Sequence, residues 1–314
     1  MNIGIDMMGG DFAPLEAVKG LQIFLSAANS QSNIFCFGDE SQLKALLNEH
    51  SLTSPNINIV HAPQVIEMHE HPTKALKEKQ QSSIAVGFYM LAAGKIDAFI
   101  SAGNTGAMLV GALYSIKVIE GVQRPSISTI IPKLNGRHGL LLDVGLNSDC
   151  KPENLNQFAV LGSLYAKSIL GIENPKVGLL NMGEEEGKGN ILSQAAYPLL
   201  KANQSIHFVG NVEGRDLFMD KADVIVCDGF TGNILLKMAE SMYEIAAERN
   251  LHEDNFMSRL HYQNYGGTPV LGVSKPVIIG HGISNATAFY NMIILAQKMI
   301  KSDLCSEMVE NFKA

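Results

Sequence analysis

The sequence predicts an α/β fold in which a parallel-rich sheet carries helices on both faces. Short apolar runs recur along the chain, helical periodicity fills most of the gaps between them, and several runs end abruptly in Gly, Asp, Asn and Thr. Strands alternating with helices imply parallel crossovers. Polar strand ends of this kind mark the crevice where open α/β sheets hold their ligands.

The first run, Ile3–Ile5, passes into Asp6, Gly9, Gly10 and Asp11. A helix is expected from Leu15 to Ala28, with Val18, Leu21, Ile23 and Leu25 along it. Ile34–Phe37 and Ile57–Val60 read as the next strands, and Ala98–Ile100 leads into Ser101-Ala102-Gly103-Asn104-Thr105-Gly106-Ala107. Ile127–Ile131 precedes Leu140–Leu142, which ends in Asp143, Gly145 and Asn147 and so sets a carboxylate and an amide at a strand exit. Asn154 to Leu170 repeats Leu155, Phe158, Leu161, Tyr165 and Ile169 in a helical pattern. Val177–Leu180, His207–Val209 and Val224–Val226 follow as strands, the last entering Cys227-Asp228-Gly229-Phe230-Thr231-Gly232-Asn233. Helical patterns over Gly232 to Arg249 and Asn285 to Ile300 flank a final strand, Val277–Ile279. No internal repeat or Pro- or Ser-rich linker divides the chain. Residues 1–314 read as one unit, with two lobes left open and no visible boundary.

One segment breaks the rhythm. Residues 250–267 set Leu251, Phe256, Met257, Leu260, Tyr262 and Tyr265 among charges. This predicts a protruding element whose apolar residues meet a second subunit or a membrane surface, the alternative being a helix over the protein's own core.

Composition narrows the function classes. Of 314 residues, 46% are apolar and 18% charged, which suits a compact core. A formal net charge of −7 argues against non-specific nucleic-acid binding. No signal peptide or apolar run long enough to span a bilayer is read, and Cys36, Cys150, Cys227 and Cys305 have neither CxxC nor zinc spacing. A reduced, cytoplasmic protein without a metal is the expectation.

The strand exits point to an anion. Backbone N–H groups opening helices at Gly103–Gly106 and Gly229–Gly232, with Asn104, Thr105, Asn147, Asn181, Thr231 and Asn233, form a neutral donor set for phosphate or an oxyanion. Lys188, between Gly187 and Gly189, is the candidate counter-charge; the adjoining Glu184, Glu185 and Glu186 suit a helix N-terminus. Gly280-His281-Gly282 bares an imidazole straight after a strand, although a turn histidine fits equally well. Gly9-Gly10 is not a dinucleotide fingerprint, and His69-Glu70-His71 lacks a third metal ligand and reads as a solvated loop. No nucleophile elbow is present.

Together these blocks resemble, colinearly and over nearly the whole chain, the PlsX-type phosphate acyltransferases, which transfer acyl groups from acyl carrier protein to phosphate. The resemblance rests on Asp6-Met7-Met8-Gly9-Gly10-Asp11, Pro72 with Lys79 and Ser82-Ser83, and Ser101 to Ala107. It extends through Leu141 to Gly145, Asn181 with Gly183-Glu184-Glu185 and Lys188-Gly189, and Asn211-Val212-Glu213-Gly214-Arg215-Asp216. Cys227 to Asn233, Tyr265-Gly266-Gly267 and Gly280-His281-Gly282 complete it. Leu146 stands where the family usually has Ala, and Ile283 where it usually has Ser, with Ser284 next door.

The resemblance implies a three-layer α/β/α fold of the isocitrate/isopropylmalate dehydrogenase type, a homodimer and no cofactor. The implied substrates are acyl-[acyl carrier protein] and inorganic phosphate. The implied product, an acyl phosphate, feeds phospholipid synthesis through a membrane acyltransferase, which brings peripheral membrane association. In such a reaction His281 is the candidate acid for the leaving thiol, and Asp6, Asp143 or Asp228 the candidate for a phosphate proton or for orienting a neighbour. Arg124, Lys133 and Arg137, or else Lys74, Lys77 and Lys79, would dock the acidic carrier. A nicotinamide-dependent dehydrogenase and a non-catalytic carrier or membrane scaffold are the competing readings. The first lacks its Arg-rich carboxylate site and metal-binding Asp cluster, and the second leaves the polar strand exits unexplained.

Overall fold

The structure, a computed structural model, describes residues 1–27, 32–251 and 253–313. Ala28, at the end of the expected first helix, and His252, inside the expected 250–267 element, lie outside the described residues.

In chain order the strands are β1 (Asn2–Asp6), β2 (Asn33–Gly38), β3 (Ile57–His61), β4 (Ala98–Ser101), β5 (Ser126–Pro132), β6 (His138–Leu142), β7 (Lys176–Asn181), β8 (His207–Glu213), β9 (Val224–Val226), β10 (Gly267–Leu271) and β11 (Val277–Gly280). The helices are α1 (Leu15–Ser26), α2 (Glu40–Glu49), α3 (Pro72–Glu78), α4 (Ser83–Ala92), α5 (Thr105–Gly111), α6 (Pro152–Leu170), α7 (Ile191–Ala202), α8 (Gly229–Glu248), α9 (Asn255–Arg259), α10 (Ala286–Lys301) and α11 (Leu304–Phe312). They form two compact units, Met1–Val118 with Gln263–Cys305, and Ile119–Tyr262 with Ser306–Ala314.

The first unit orders its strands β3-β2-β1-β4-β11-β10, all parallel except β10, which runs antiparallel to β11. Helix α10 packs on β1, β4 and β11 together with α1, while α4 packs on β1, β2 and β4. The centre is aromatic: Phe99 meets Phe37 and Phe88 edge-to-face, with ring centroids 5.7 and 5.2 Å apart. Strands buried on both faces must be apolar throughout, and Ile3, Ile5, Ile34, Ala98, Ile100 and Ile278 have no exposed surface.

The second unit orders its strands β5-β6-β9-β7-β8, parallel apart from the β5–β6 hairpin. That hairpin turns at Asn135-Gly136, where Gly136 has φ +88° and the Lys133 N–H donates to the Arg137 carbonyl at 2.9 Å. The left-handed backbone there explains the glycine. Helix α6 lies on β6, β7 and β9 with α7 beside it, and α8 reaches β6.

Candidate active site

In the first unit one carboxylate ties two strand exits together. Asp6, the last residue of β1, accepts from the Ser101 hydroxyl at 2.6 Å and the Met8 N–H at 3.0 Å. Ser101 ends β4, and its oxygen accepts the Gly103 N–H at 2.9 Å. Gly9 permits the approach, since a Cβ there would lie 2.6 Å from the Gly103 nitrogen. Burial pushes the Asp6 carboxyl above its usual range, with the Ser101 and Ser83 hydroxyls pulling it back. Asp6 is fully buried and orients the Ser101 hydroxyl at the two strand exits.

Asn104 is committed in the same way. Its side-chain oxygen caps α5 by accepting the Ala107 N–H at 2.9 Å, and its amide donates to the carbonyls of Glu67, Met68 and Glu70. Asn104, expected as an anion donor, therefore holds the chain that leads into α3, while the Gly103 N–H is taken by Ser101. Thr105 is exposed and Gly106 half-buried in the first turn of α5. Half-buried His281 follows β11, and the Asp11 N–H donates to the neighbouring Gly282 carbonyl at 2.7 Å. Within His69-Glu70-His71 the middle carboxylate pairs with Lys79 at 2.6 Å.

The second unit locks Asp143 to Asn147 against the start of α8. Asp143 is fully buried and accepts from the N–H groups of Ile127, Gly145, Leu146 and Asn147 and from the Asn147 amide, at 2.7 to 3.3 Å. Burial raises its carboxyl above the usual range, opposed by these bonds. The Asn147 amide also donates to the Pro125 carbonyl at 2.8 Å, while the Asn147 carbonyl accepts the Gly229 N–H at 2.7 Å. Asn233 donates its amide to the Val144 carbonyl at 3.2 Å. Asp143 and Asn147 thus both shape the loop.

Asp228 caps α8, accepting the Thr231 N–H at 2.9 Å and the Thr231 hydroxyl at 2.8 Å. The positive end of this helix is thus met by the chain's own carboxylate. Gly229 is bonded to Asn147 and the Gly232 N–H to the Asp228 carbonyl at 3.0 Å, so these N–H groups are engaged within the chain.

Lys188 differs. The loop after β7 is pinned by Asn181, whose amide donates to the Lys188 carbonyl at 3.0 Å and whose oxygen accepts the Met182 N–H at 2.8 Å. Gly189, with φ +99°, makes room, since a Cβ there would lie within 2.3 Å of the Asn181 side-chain oxygen. Glu184 is taken by Lys221 and Glu186 by Lys201, while exposed Lys188 forms no ion pair among the described residues. Glu184, Glu213 and Asp216 converge closely, but Lys221 bridges Glu184 and Asp216 at 2.7 and 3.1 Å. An ammonium thus already supplies positive charge to this acidic group.

Beside this loop lies a cavity of about 490 Å³, at the carboxyl ends of β7 and β9. Sequence reasoning missed its walls, Leu155, Leu180, Leu192 and Leu235 among them, because single leucines inside helical and strand patterns read only as core.

Of the three cations of the expected docking face, Arg124 and Arg137 are exposed and Lys133 is buried. Lys133 is 1% exposed and donates to the carbonyls of Leu217 and Ala222 at 3.1 and 2.8 Å, and burial lowers its ammonium to about 8. Arg137 is paired with Asp220 and Asp223, and Arg124 donates to the Asp149 carbonyl at 2.8 Å. Lys74 and Lys77 on α3 remain exposed.

Leu260 is buried, Phe256 packs edge-to-face on Phe218, and Arg259 donates to the carbonyls of Lys133 and Arg137. Of the proposed tip residues Phe256, Met257 and Leu260, none is exposed. Leu251 of the 250–267 segment is exposed, and α8 before it carries exposed Phe230, Ile234, Met238 and Ile245.

A family described as "Fatty acid synthesis protein" matches residues 1–307. The chain is 44% identical to a phosphate acyltransferase of Dictyoglomus turgidum, over 99% of this chain and 97% of that one. It is 42% identical to a phosphate acyltransferase of Aquifex aeolicus, over 100% and 97% respectively. Among solved structures it resembles a phosphotransacetylase from Streptococcus pyogenes, with a TM-score of 0.67, 17% identity and coverage of 96% and 94%. A 4-hydroxythreonine-4-phosphate dehydrogenase from Klebsiella pneumoniae gives a TM-score of 0.57 at 12% identity, covering 96% and 97%. At such identities these two likenesses concern the fold, and they agree with the three-layer α/β/α class.

Proposed function

We propose, from the premise that this chain belongs to the fatty acid synthesis protein family and is an acyltransferase acting on phosphate, that its donor is acyl-[acyl carrier protein] and that its acyl phosphate product serves phospholipid synthesis. Phosphate is an anionic nucleophile at neutral pH. One of its oxygens attacks the thioester carbonyl carbon and the C–S bond breaks. A thiol with an ordinary pKa of about 8.5 leaves with only modest help. Such a reaction calls for positioning more than for strong acid–base catalysis, and holding the reactants together supplies up to about 7–11 kcal/mol at the ideal limit. Buried Asp6 and Asp143 fit this division of labour as scaffolding for the strand exits.

The observation that carries the phosphate reading is Lys188, an exposed cation with no ion pair among the described residues, on a pinned loop after a strand exit. Thr105 and His281 remain as the exposed and half-buried polar candidates of the first unit. Acyl-[acyl carrier protein] and phosphate incubated with the protein are expected to give an acyl phosphate that hydroxylamine traps as hydroxamate. In Lys188→Ala the phosphate KM is expected to rise about tenfold, the loss of one charge-assisted contact. No hydroxamate from any acyl thioester would sink the proposed reaction; an unchanged phosphate KM in folded Lys188→Ala would remove only that residue. Lys74 and Lys77 are the cations proposed to steer the acidic carrier, an attraction that salt weakens.

We also propose a homodimer with peripheral attachment to the membrane that holds the next acyltransferase. Met238 and Ile245 are 63% and 57% exposed on one long helix, with Leu251 56% exposed beyond it. A subunit contact through α8 would cover the first two and leave Leu251 for lipid. Met238→Glu with Ile245→Glu is expected to shift the protein to monomer in light scattering. A double variant that keeps the parent's mass would place the subunit contact elsewhere.

A further inference from the structure

We infer that the cavity in the second unit is the subsite for the hydrocarbon tail of the acyl group, an assignment that rests on the acyl-transfer reading above. Three sets of observations converge on it. The first is chemical. The polar side chains of the cavity are largely engaged within the chain: Asn181 on its own loop, the Asn190 oxygen on the Ser193 N–H and hydroxyl that open α7, and Asp228 on Thr231. What remains to greet an occupant is Leu155, Leu180, Leu192 and Leu235, with Phe230 and Ile234 on α8. An apolar wall with satisfied polar groups rewards hydrocarbon and offers nothing to a sugar or a nucleotide.

The second is electrostatic. No Lys or Arg lines the cavity, and its one charged side chain is the carboxylate of Asp228. Phosphate is therefore repelled from the interior. Lys188 immediately precedes Gly189, a wall residue, so the same loop carries a cation next in sequence to an apolar wall. That order matches an amphiphile with an anionic head and an apolar tail.

The third is topological. The walls come from the carboxyl ends of the parallel strands β7 and β9, from Gly214 after β8, and from the openings of α7 and α8. This is the position where open α/β sheets take their ligands. A volume of about 490 Å³ falls within the roughly 300–1,000 Å³ of small-molecule sites.

The test measures kcat/KM for octanoyl, dodecanoyl and hexadecanoyl thioester donors. In the parent each methylene that the cavity accepts is expected to raise kcat/KM about fourfold until it is filled. Leu235→Trp, and separately Leu192→Trp from α7, are expected to cut hexadecanoyl kcat/KM at least tenfold while octanoyl changes less than threefold. Two positions on different helices guard against one variant failing to fold. Equal losses at all chain lengths in a folded variant, or unchanged selectivity in both, would overturn the assignment. Binding of the neutral fluorescent probe methyl cis-parinarate is read separately. If the parent makes no acyl phosphate from any donor, the reaction fails. Probe binding that both Trp variants lose would still support the tail subsite, and no binding to the parent would overturn it.

Discussion

Asp143→Ala is expected to lower the unfolding free energy by about 3–5 kcal/mol, because it leaves several buried donors without an acceptor at once. The carboxylate receives four backbone N–H groups and one side-chain amide, and those of Ile127 and Asn147 are buried away from water. The loop that Asp143 gathers also carries Asn147, whose carbonyl holds the first N–H of α8, so the loss reaches the helix and the cavity behind it. Acyl transfer to phosphate is expected to fall at least a hundredfold in the same variant. Urea unfolding measures the first effect and hydroxamate formation the second. A variant within about 1 kcal/mol of the parent, the net worth of a single hydrogen bond, would show that the loop is held by something else.

Gly232→Ala should be nearly as damaging, although it adds only a methyl group. By helix propensity alone, Ala in place of Gly favours a helix by about 1 kcal/mol. Here the new Cβ would fall 1.9 Å from the Asp143 carbonyl oxygen, and a backbone atom cannot swing aside as a side chain can. Helix α8 must lift from the loop, and a net destabilisation of about 2–3 kcal/mol is expected from overpacking of this kind. Gly187→Ala is the matched control, since a Cβ there meets nothing within 4 Å. Thermal melts of the two variants should separate clearly. If both behave alike, the close approach of α8 to Asp143 is not rigid.

These variants show where the sequence is readable. Ile3–Ile5, Leu140–Leu142 and Val224–Val226 stand out as strands because a strand buried on both faces has to be continuously apolar and has to end at its turn residues. Gly267–Leu271 passed unnoticed because Gly, Thr and Pro open it, residues that read as a turn. It runs antiparallel to β11, so Pro269 needs only a place in a short ladder. The β5–β6 hairpin was legible in principle, since Asn135-Gly136 is a strong hairpin signal, but the alternation of strand and helix drew attention away from it.

The polar strand exits were legible in the sequence, but the partners of their side chains were not. A buried Asp that clamps its own loop and an exposed Asp that meets a substrate carry the same letter, and only the count of N–H groups around Asp143 tells them apart. Lys133 teaches the same about charge. In Pro132-Lys133-Leu134-Asn135-Gly136-Arg137 it looks like part of a basic patch, yet its ammonium is turned inward on two carbonyls. The cavity escaped notice for the opposite reason: its walls are ordinary leucines, and a hollow is not encoded by any single residue.

The division of the chain has a consequence for how the protein is made. Each compact unit is assembled from two stretches of chain, and in the first unit β11 pairs with β4, which is synthesised far earlier. A ribosome releasing the chain from its amino end delivers β1 to β4 long before their missing neighbour exists. Until Val277–Gly280 emerges, the β4 edge has no partner from β11, and an unpaired apolar edge is the surface at which nascent chains associate wrongly. Completion of the first unit therefore comes late in synthesis, after the second unit's strands have already left the tunnel.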